Sequence, residues 1–330
     1  MKKIWAVLCF SPLFFMGCSQ PKEQPNQSDE ASAPNKIKAE LCRQYSGVPQ
    51  GWLKHKTAGM VNIEGGSYEI GNNEAYPEEK SLMNSQRTVE SFYMDQTEVT
   101  NAQFEAFVKA TQYVTEAEQQ GEAAIFVQPK QAVSELGWWK LEKNATWKQP
   151  WGAHSQRKTL PNEPVRIVTL KDALAYADWL GHELPTEEQW EYAAKAFAQQ
   201  RDVQAMNHGS HINANVWQGQ FPYQNAVEDG FEDVAPVGCY EANPFGLYDM
   251  IGNVWEYTRS PFTGSHDDHL GNHQQLKKSQ PAYNHYTIKG GSYLCADNYC
   301  ARYRAAARQS QEANLAMSHV GFRTVYQSKK

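Results

Sequence analysis

Two closely spaced thiols dominate the chemistry this chain can offer. Cys295 and Cys300 stand in the run Gly290-Gly291-Ser292-Tyr293-Leu294-Cys295-Ala296-Asp297-Asn298-Tyr299-Cys300-Ala301-Arg302-Tyr303-Arg304. Thiolates are soft ligands and favour soft ions such as Cu(I) or Zn. Guanidinium charge close by lowers a thiol pKa and raises the population of the reactive thiolate. On an α-helix, side chains five positions apart point in different directions, because one face repeats every three or four residues. The pair therefore converges only in an extended or looped segment, where Gly290 and Gly291 supply backbone freedom. The same spacing suits a short-range structural disulfide, and spacing alone favours that plainer reading.

Two oxygen-rich stretches suggest a second chemistry. Asn215-Val216-Trp217-Gln218-Gly219 is followed by Asn225-Ala226-Val227-Glu228-Asp229-Gly230-Phe231, and then by Asp249-Met250-Ile251-Gly252-Asn253-Val254-Trp255-Glu256. Calcium takes six to eight oxygens from carboxylates, amides and backbone carbonyls in glycine-bent loops. Neither stretch is an EF-hand loop, and turn chemistry accounts for the same composition.

Three helices must carry much of the frame. Thr100-Asn101-Ala102-Gln103 is a capping box, with Val99 placed to staple against Phe104, and Phe104, Phe107 and Val108 form an apolar stripe. Thr169 followed by Asp172 opens a second helix, with Ala173, Tyr176, Ala177 and Leu180 inward and Gly181 at its end. Thr186-Glu187-Glu188-Gln189 is another capping box after Pro185, with Trp190, Ala193, Ala194 and Phe197 on one face. Short β-like runs such as Arg87–Tyr93 and Val320–Tyr326 lie among many Gly, Pro, Asn and Asp residues. The expectation is an α+β fold with much irregular chain.

The N-terminus sets the compartment. Lys2 and Lys3, the apolar run Ile4 to Met16, and Gly17-Cys18 read as a signal peptide, residues 1–18, too short to span a bilayer. Cys18 resembles the lipidated cysteine of bacterial lipoproteins, despite Phe15 and Met16 where smaller residues are usual. An ordinary signal peptide is the alternative. Ser19-Gln20 carries no aspartate-type signal for inner-membrane retention, so the expectation is an exported lipoprotein of the cell envelope or periplasm, anchored at the outer membrane by lipid on Cys18. Residues 19–57 are expected to be a flexible tether, richest in Pro, Ser, Gln and charge up to Lys38, and 58–330 a single domain. Of six cysteines, export and lipidation leave Cys42, Cys239, Cys295 and Cys300, which allow three pairings. If Cys295 and Cys300 are functional, Cys42–Cys239 is the residual pair, although two buried free thiols satisfy the same sequence. A net charge of −6 argues against a nucleic-acid partner. A hydrophobic content of 41% with ten tryptophans is ample for a globular core.

These runs together resemble the formylglycine-generating enzymes, also called sulfatase-modifying factors, over nearly all of Met60 to Tyr326. The resemblance is carried by Phe92-Tyr93-Met94-Asp95, Glu98-Val99-Thr100-Asn101, Gly137-Trp138-Trp139, Leu184-Pro185-Thr186-Glu187, Trp190-Glu191-Tyr192, Phe245-Gly246-Leu247-Tyr248, Gly252-Asn253-Val254-Trp255-Glu256, the thiol run and Gly321-Phe322-Arg323. It implies that family's fold, related to C-type lectins, with irregular loop stabilised by calcium. It also implies a copper-dependent oxidase in which a cysteine of an unfolded sulfatase, in a Cys-x-Pro-x-Arg motif, becomes Cα-formylglycine using O2 and a thiol reductant. In that likeness Cys295 and Cys300 would ligate Cu(I), which reverses the disulfide preference. Ser292 and Trp255 would line the oxygen pocket, and Tyr299 and Arg302 would position substrate. One calcium would take Asn215, Val216, Asp229 and Phe231, the other Asp249, Gly252, Val254 and Glu256. Ala296 departs from the histidine of animal members, and Ala177, Ala194, Ala305 and Thr324 stand where vertebrate enzymes place disulfide cysteines. Two alternatives remain: a different oxidase of the superfamily, or a non-catalytic copper- or partner-binding lipoprotein. His266, His269 and His273 read as part of a solvated loop.

Overall fold

Local hydrogen bonding closes every capping box the sequence announces. The computed structural model describes residues 42–72, 76–80, 85–196, 207–208, 211–264 and 283–327, all within one compact unit, Lys38–Lys330. Helix α1 (Asn101–Thr111) starts at Thr100, whose hydroxyl accepts from Gln103 N while the Gln103 side chain accepts from Thr100 N. An unforeseen short helix, α2 (Glu116–Gln120), uses Thr115 and Glu118 in the same way. Helix α3 (Leu170–Leu180) begins on Thr169 and Asp172 and ends at left-handed Gly181. Helix α4 (Glu187–Lys195) begins on Thr186 and Gln189. The signal peptide, Cys18, Phe197, His266, His269 and His273 lie outside the described residues.

Two expected strands prove to be corners. The run Arg87–Tyr93 is divided into β3 (Gln86–Val89), which pairs with β2 (Gly66–Glu69), and β4 (Phe92–Asp95), which pairs with β1 (Met60–Ile63). Val89, Phe92 and Met94 are buried, but exposed Glu90 and Ser91 break the alternation and turn the chain, and Ser91 Oγ accepts from Gly65 N. Val320–Tyr326 likewise divides into β12 (Val320–Gly321), parallel to β9 (Trp255–Pro261), and β13 (Val325–Tyr326), antiparallel to β4. Between them Arg323 points inward to Glu256. The larger sheet has the order β11-β10-β9-β12, where β10 is His285–Lys289 and β11 Arg308–Glu312. Hairpins β5–β6 (Glu122–Phe126, Trp139–Lys143) and β7–β8 (Asn207–His208, His211–Ile212) complete the described strands.

The body begins before residue 58, which corrects the expected tether. Trp52 packs edge-on against Trp179 with ring centroids 5.9 Å apart, Gly47 O accepts from Thr100 Oγ1, and Cys42 O accepts from Asn162 Nδ2. Cys42 and Cys239 form a disulfide with Cα atoms 5.0 Å apart. At two of the positions noted above, Ala194 and Ala305 pack in one core cluster, and Thr324 Oγ1 bonds Asp95 and His182 instead.

The core is divided around the thiol loop. Val99, Phe104, Phe107, Tyr176, Trp255 and Phe322 form one cluster that includes Cys295. Trp138, Trp217, Phe221, Tyr293, Leu294 and Ala296 form another. Burying one such large side chain contributes about 1.5–3 kcal/mol. Packing on both sides therefore fixes the loop between them.

Candidate thiol pocket

Strand β10 delivers the thiol loop from an anchored end. Its last residue, Lys289, is fully buried, with Nζ 2.9 Å from Glu191 Oε2 and 3.7 Å from Glu187 Oε1, both on α4. Arg308 on β11 holds the same Glu187 through two contacts of 2.7 and 2.8 Å. The chain then turns through Gly290 and Gly291, at φ +94° and +79°. A Cβ at Gly290 would lie 3.0 Å from Met250 O, and one at Gly291 2.8 Å from Arg302 O. Glycine is therefore required at both positions.

Beyond that turn the backbone is irregular, as the five-residue spacing demands. Cys295 N donates to Ser292 O at 2.9 Å and Cys300 N to Ala296 O at 3.0 Å. Both cysteines are free thiols, Cys295 buried and Cys300 half-buried. The short-range disulfide reading is thereby set aside. Cys295 donates a hydrogen bond to Cys300, and that bond pushes the Cys300 pKa down to about 7 against its burial, with Arg302 charge adding to the effect. The same bond, and then burial, drives Cys295 well above the usual thiol range. Ser292 N also points at Cys295 Sγ, 3.4 Å away. The hydrogen bond thus makes Cys300 the more readily ionised of the two and Cys295 the one that keeps its proton.

Both thiols open into a cavity of about 380 Å³ that Ser292, Trp255, Tyr299 and Arg302 also line. All six residues singled out for the thiol chemistry meet there, from β9 and the thiol loop. Tyr299 stacks on Phe221 with centroids 4.9 Å apart and meets Trp138 edge-on at 5.3 Å, yet stays 43% exposed at the mouth. Two further wall residues escaped the sequence reading. His319 is buried, its Nδ1 has no hydrogen-bond partner, and burial pushes its pKa down to about 3, so the imidazole is neutral. Tyr76 arrives from the β2–β3 connection. An isolated His and Tyr carry no local motif, so nothing in their neighbourhood marked them.

The two oxygen-rich sets fit a hard cation unequally. Gln218 Nε2 donates to both Val216 O and Asp229 Oδ2, so those two oxygens lie within reach of one atom. Asp229 Oδ1 accepts from Phe231 N, and Asn215 reaches Asp233 and Asn253 through its amide nitrogen. Of the first set, the Val216 and Asp229 oxygens thus face one point, and oxygen donors of that kind suit calcium. In the second set, Asp249 is buried, and burial raises its carboxyl to about 6. Glu256 differs from the expectation. Its oxygens bind Arg323 Nε and Nη2 at 2.7 and 2.8 Å, and Trp190 Nε1 at 2.8 Å. Replacing a bidentate guanidinium with a metal would strip buried Arg323 of its carboxylate and leave it the carbonyls of Asp95, Gln96 and Tyr248, so Glu256 does not fit a ligand role in this arrangement. The neighbouring buried carboxyl is Glu98, which burial, and then Asp249 charge, push well above the usual carboxylate range and which shares a hydrogen bond with Asp249.

An irregular α+β body presenting two reduced thiols in an aromatic cavity defines a protein built for thiol chemistry at a protected site. The chain matches the Sulfatase-modifying factor enzyme 1-like domain over residues 46–328, and it belongs to that family. It is 36% identical over 321 residues to the formylglycine-generating enzyme of Bos taurus, covering 93% of this chain and 84% of that one. It is also 31% identical over 287 residues to the "Inactive C-alpha-formylglycine-generating enzyme 2" of Bos taurus, covering 82% of this chain and 90% of that one. Among solved structures, PvdO from Pseudomonas aeruginosa superposes with a TM-score of 0.60 at 20% identity, over 81% of this chain and 94% of that one, a likeness of fold.

Proposed function

We propose that the thiol pocket oxidises a cysteine of an unfolded sulfatase polypeptide, read within Cys-x-Pro-x-Arg, to Cα-formylglycine, with O2 as oxidant and a thiol as reductant. The observation that carries this reading is the meeting of Cys295, Cys300, Ser292, Trp255, Tyr299 and Arg302 in one cavity with both thiols free. Relatives named as formylglycine-generating enzymes support it. Cys295 and Cys300 would hold Cu(I), since a pair of soft sulfurs, one of which ionises near neutral pH, suits that ion. Bound there, copper would supply oxygen activation.

The residues of this chain do the rest. Burial of Cys295, Ser292 and Trp255 excludes water from the reacting end. Arg302 and Tyr299 at the mouth orient the incoming chain. The balance of the reaction is fixed by its products. The substrate loses two electrons as its Cβ–S bond is replaced by C=O, and sulfur leaves as hydrogen sulfide. O2 accepts four electrons, so two thiols supply the other two and leave as a disulfide.

The test is aldehyde formation on a Cys-x-Pro-x-Arg peptide by purified protein with Cu(I), O2 and reductant, read by hydrazide capture. Loss of aldehyde in Cys300→Ser and Cys295→Ser is expected, and undiminished turnover in either sinks the reading. The similarity to an inactive relative favours one alternative, a non-catalytic binder, which would retain the peptide without yielding aldehyde.

Calcium at Asn215, Val216, Asp229 and Phe231, and a second ion at Asp249 with the Gly252 and Val254 carbonyls, belong to the same proposal as structural ions. Export with a lipid on Cys18 does too. The Cys42–Cys239 disulfide supports an oxidising compartment. Palmitate labelling that survives Cys18→Ser would overturn the lipid anchor.

A further inference from the structure

The arginine beside the thiols is held from outside the thiol loop. Pro77–Glu79 forms a single 3-10 turn in the connection from β2 to β3, more than two hundred residues before Arg302. Glu79 is fully buried, and its carboxylate lies 2.5 Å from Arg304 Nη1 and 3.7 Å from Arg302 Nε. The Tyr76 ring covers both guanidinium groups, with its centroid 4.7 Å from Arg302 Cζ and 5.4 Å from Arg304 Cζ. On another side Arg302 Nη1 donates to Gln309 Oε1 at 3.4 Å. Tyr76 and Arg302 line the same cavity as the two thiols.

The chemistry of these contacts is directional. A guanidinium is drawn to the face of an aromatic ring, and a buried carboxylate persists where positive charge accompanies it. An arginine gripped this way loses its rotamer freedom and presents its planar fork of donors in one orientation. Glu79 serves Arg304 at hydrogen-bond distance and Arg302 as a longer ion pair, so the two arginines form one clamped unit.

We propose that Tyr76 and Glu79 are positioning residues that fix the Arg302 guanidinium at the cavity wall, where it binds backbone carbonyls of the peptide entering the pocket. The identity of that peptide rests on the function proposed above, whereas the positioning of Arg302 does not.

Two measurements on reduced full-length protein separate these. The first is the rate at which phenylglyoxal, a guanidinium reagent, modifies Arg302, mapped by mass spectrometry. The second is the split between KM and kcat for the Cys-x-Pro-x-Arg peptide. Tyr76→Leu removes the ring from a partly exposed position and should raise both the Arg302 labelling rate and KM about threefold, with kcat unchanged. Tyr76→Phe keeps the ring and should restore both. Glu79→Gln should have the larger effect, about tenfold on each. Equal Arg302 labelling in Tyr76→Leu and the parent would overturn the proposal, whether or not Glu79→Gln folds. So would a fall in kcat and melting temperature at constant KM, the signature of a purely structural role. A parent protein that makes no aldehyde sinks the proposed function, and the labelling rates still decide the clamp.

Discussion

At the scale of single residues, the decisive asymmetry is between two hydrogen-bonded sulfurs, one of which ionises far more readily than the other. Cys300, at the open side beside Arg302, loses its proton first, and Cys295, buried in the aromatic core, holds its proton longer. In the metal-free reduced protein, iodoacetamide should therefore label Cys300 with a rate that rises through a midpoint near pH 7, with Cys295 lagging far behind at every pH below 9. Simultaneous labelling of both with one midpoint near the ordinary thiol value would contradict this. Of the six residues of the thiol chemistry, Cys295 and Cys300 were legible from type and spacing, whereas Ser292, Trp255, Tyr299 and Arg302 were named only through the family resemblance. Tyr76, Glu79 and His319 were legible by neither route. Each is a common residue type whose meaning comes from partners far away in sequence, and sequence spacing contains no trace of that.

At the scale of elements, helix starts were readable and strand ends were not. A capping box is a local transaction among four residues, so Thr100, Thr169 and Thr186 announced their helices without tertiary information. Strand limits at Val89–Phe92 and Gly321–Val325 depend on which sheet each half joins, which only packing decides. The cap of α3 also makes a pH-dependent contribution. Asp172 accepts from Thr169 N, Glu116 N and the Tyr113 hydroxyl, yet burial outweighs these bonds and raises its carboxyl from 3.8 to about 6. Between pH 4 and 6 the folded Asp172 therefore binds a proton that the unfolded chain has released. The native state holds more protons than the unfolded one there, so stability falls as pH rises across that window. Asp172→Asn should flatten this slope in urea titrations at pH 4, 5 and 6, and an unchanged slope would refute the assignment.

At the scale of the whole molecule, few helices and short strands leave loops to be stabilised by other means. The buried charges of Glu187, Glu191, Lys289 and Arg308 tie α4 to β10 and β11, while Arg323 and Glu256 tie β9 to the segment before β13. Calcium in the loop set around Asp229 would add to this by binding only the native state. Chelation should then lower the melting temperature of the proposed holoprotein, and Asp229→Ala should remove much of that sensitivity. Identical melting curves with chelator and with excess calcium would exclude the ion. Glu256→Gln, by contrast, should destabilise whether or not calcium is present, because it removes the charged bidentate partner of buried Arg323.

The Cys42–Cys239 bridge has a further consequence for how the protein matures. Its partners are 197 positions apart, whereas Cys295 and Cys300 are five apart. In an unfolded chain, loop-closure entropy favours the shorter ring by about 3 kcal/mol, roughly a hundredfold in encounter frequency. A newly made chain in an oxidant should therefore close Cys295–Cys300 first and begin life with its pocket locked. Early trapped species in glutathione-driven refolding should carry that small ring, and species that carry only Cys42–Cys239 from the outset would argue otherwise. A reductant would then be needed once to awaken each molecule, before it is needed for any turnover.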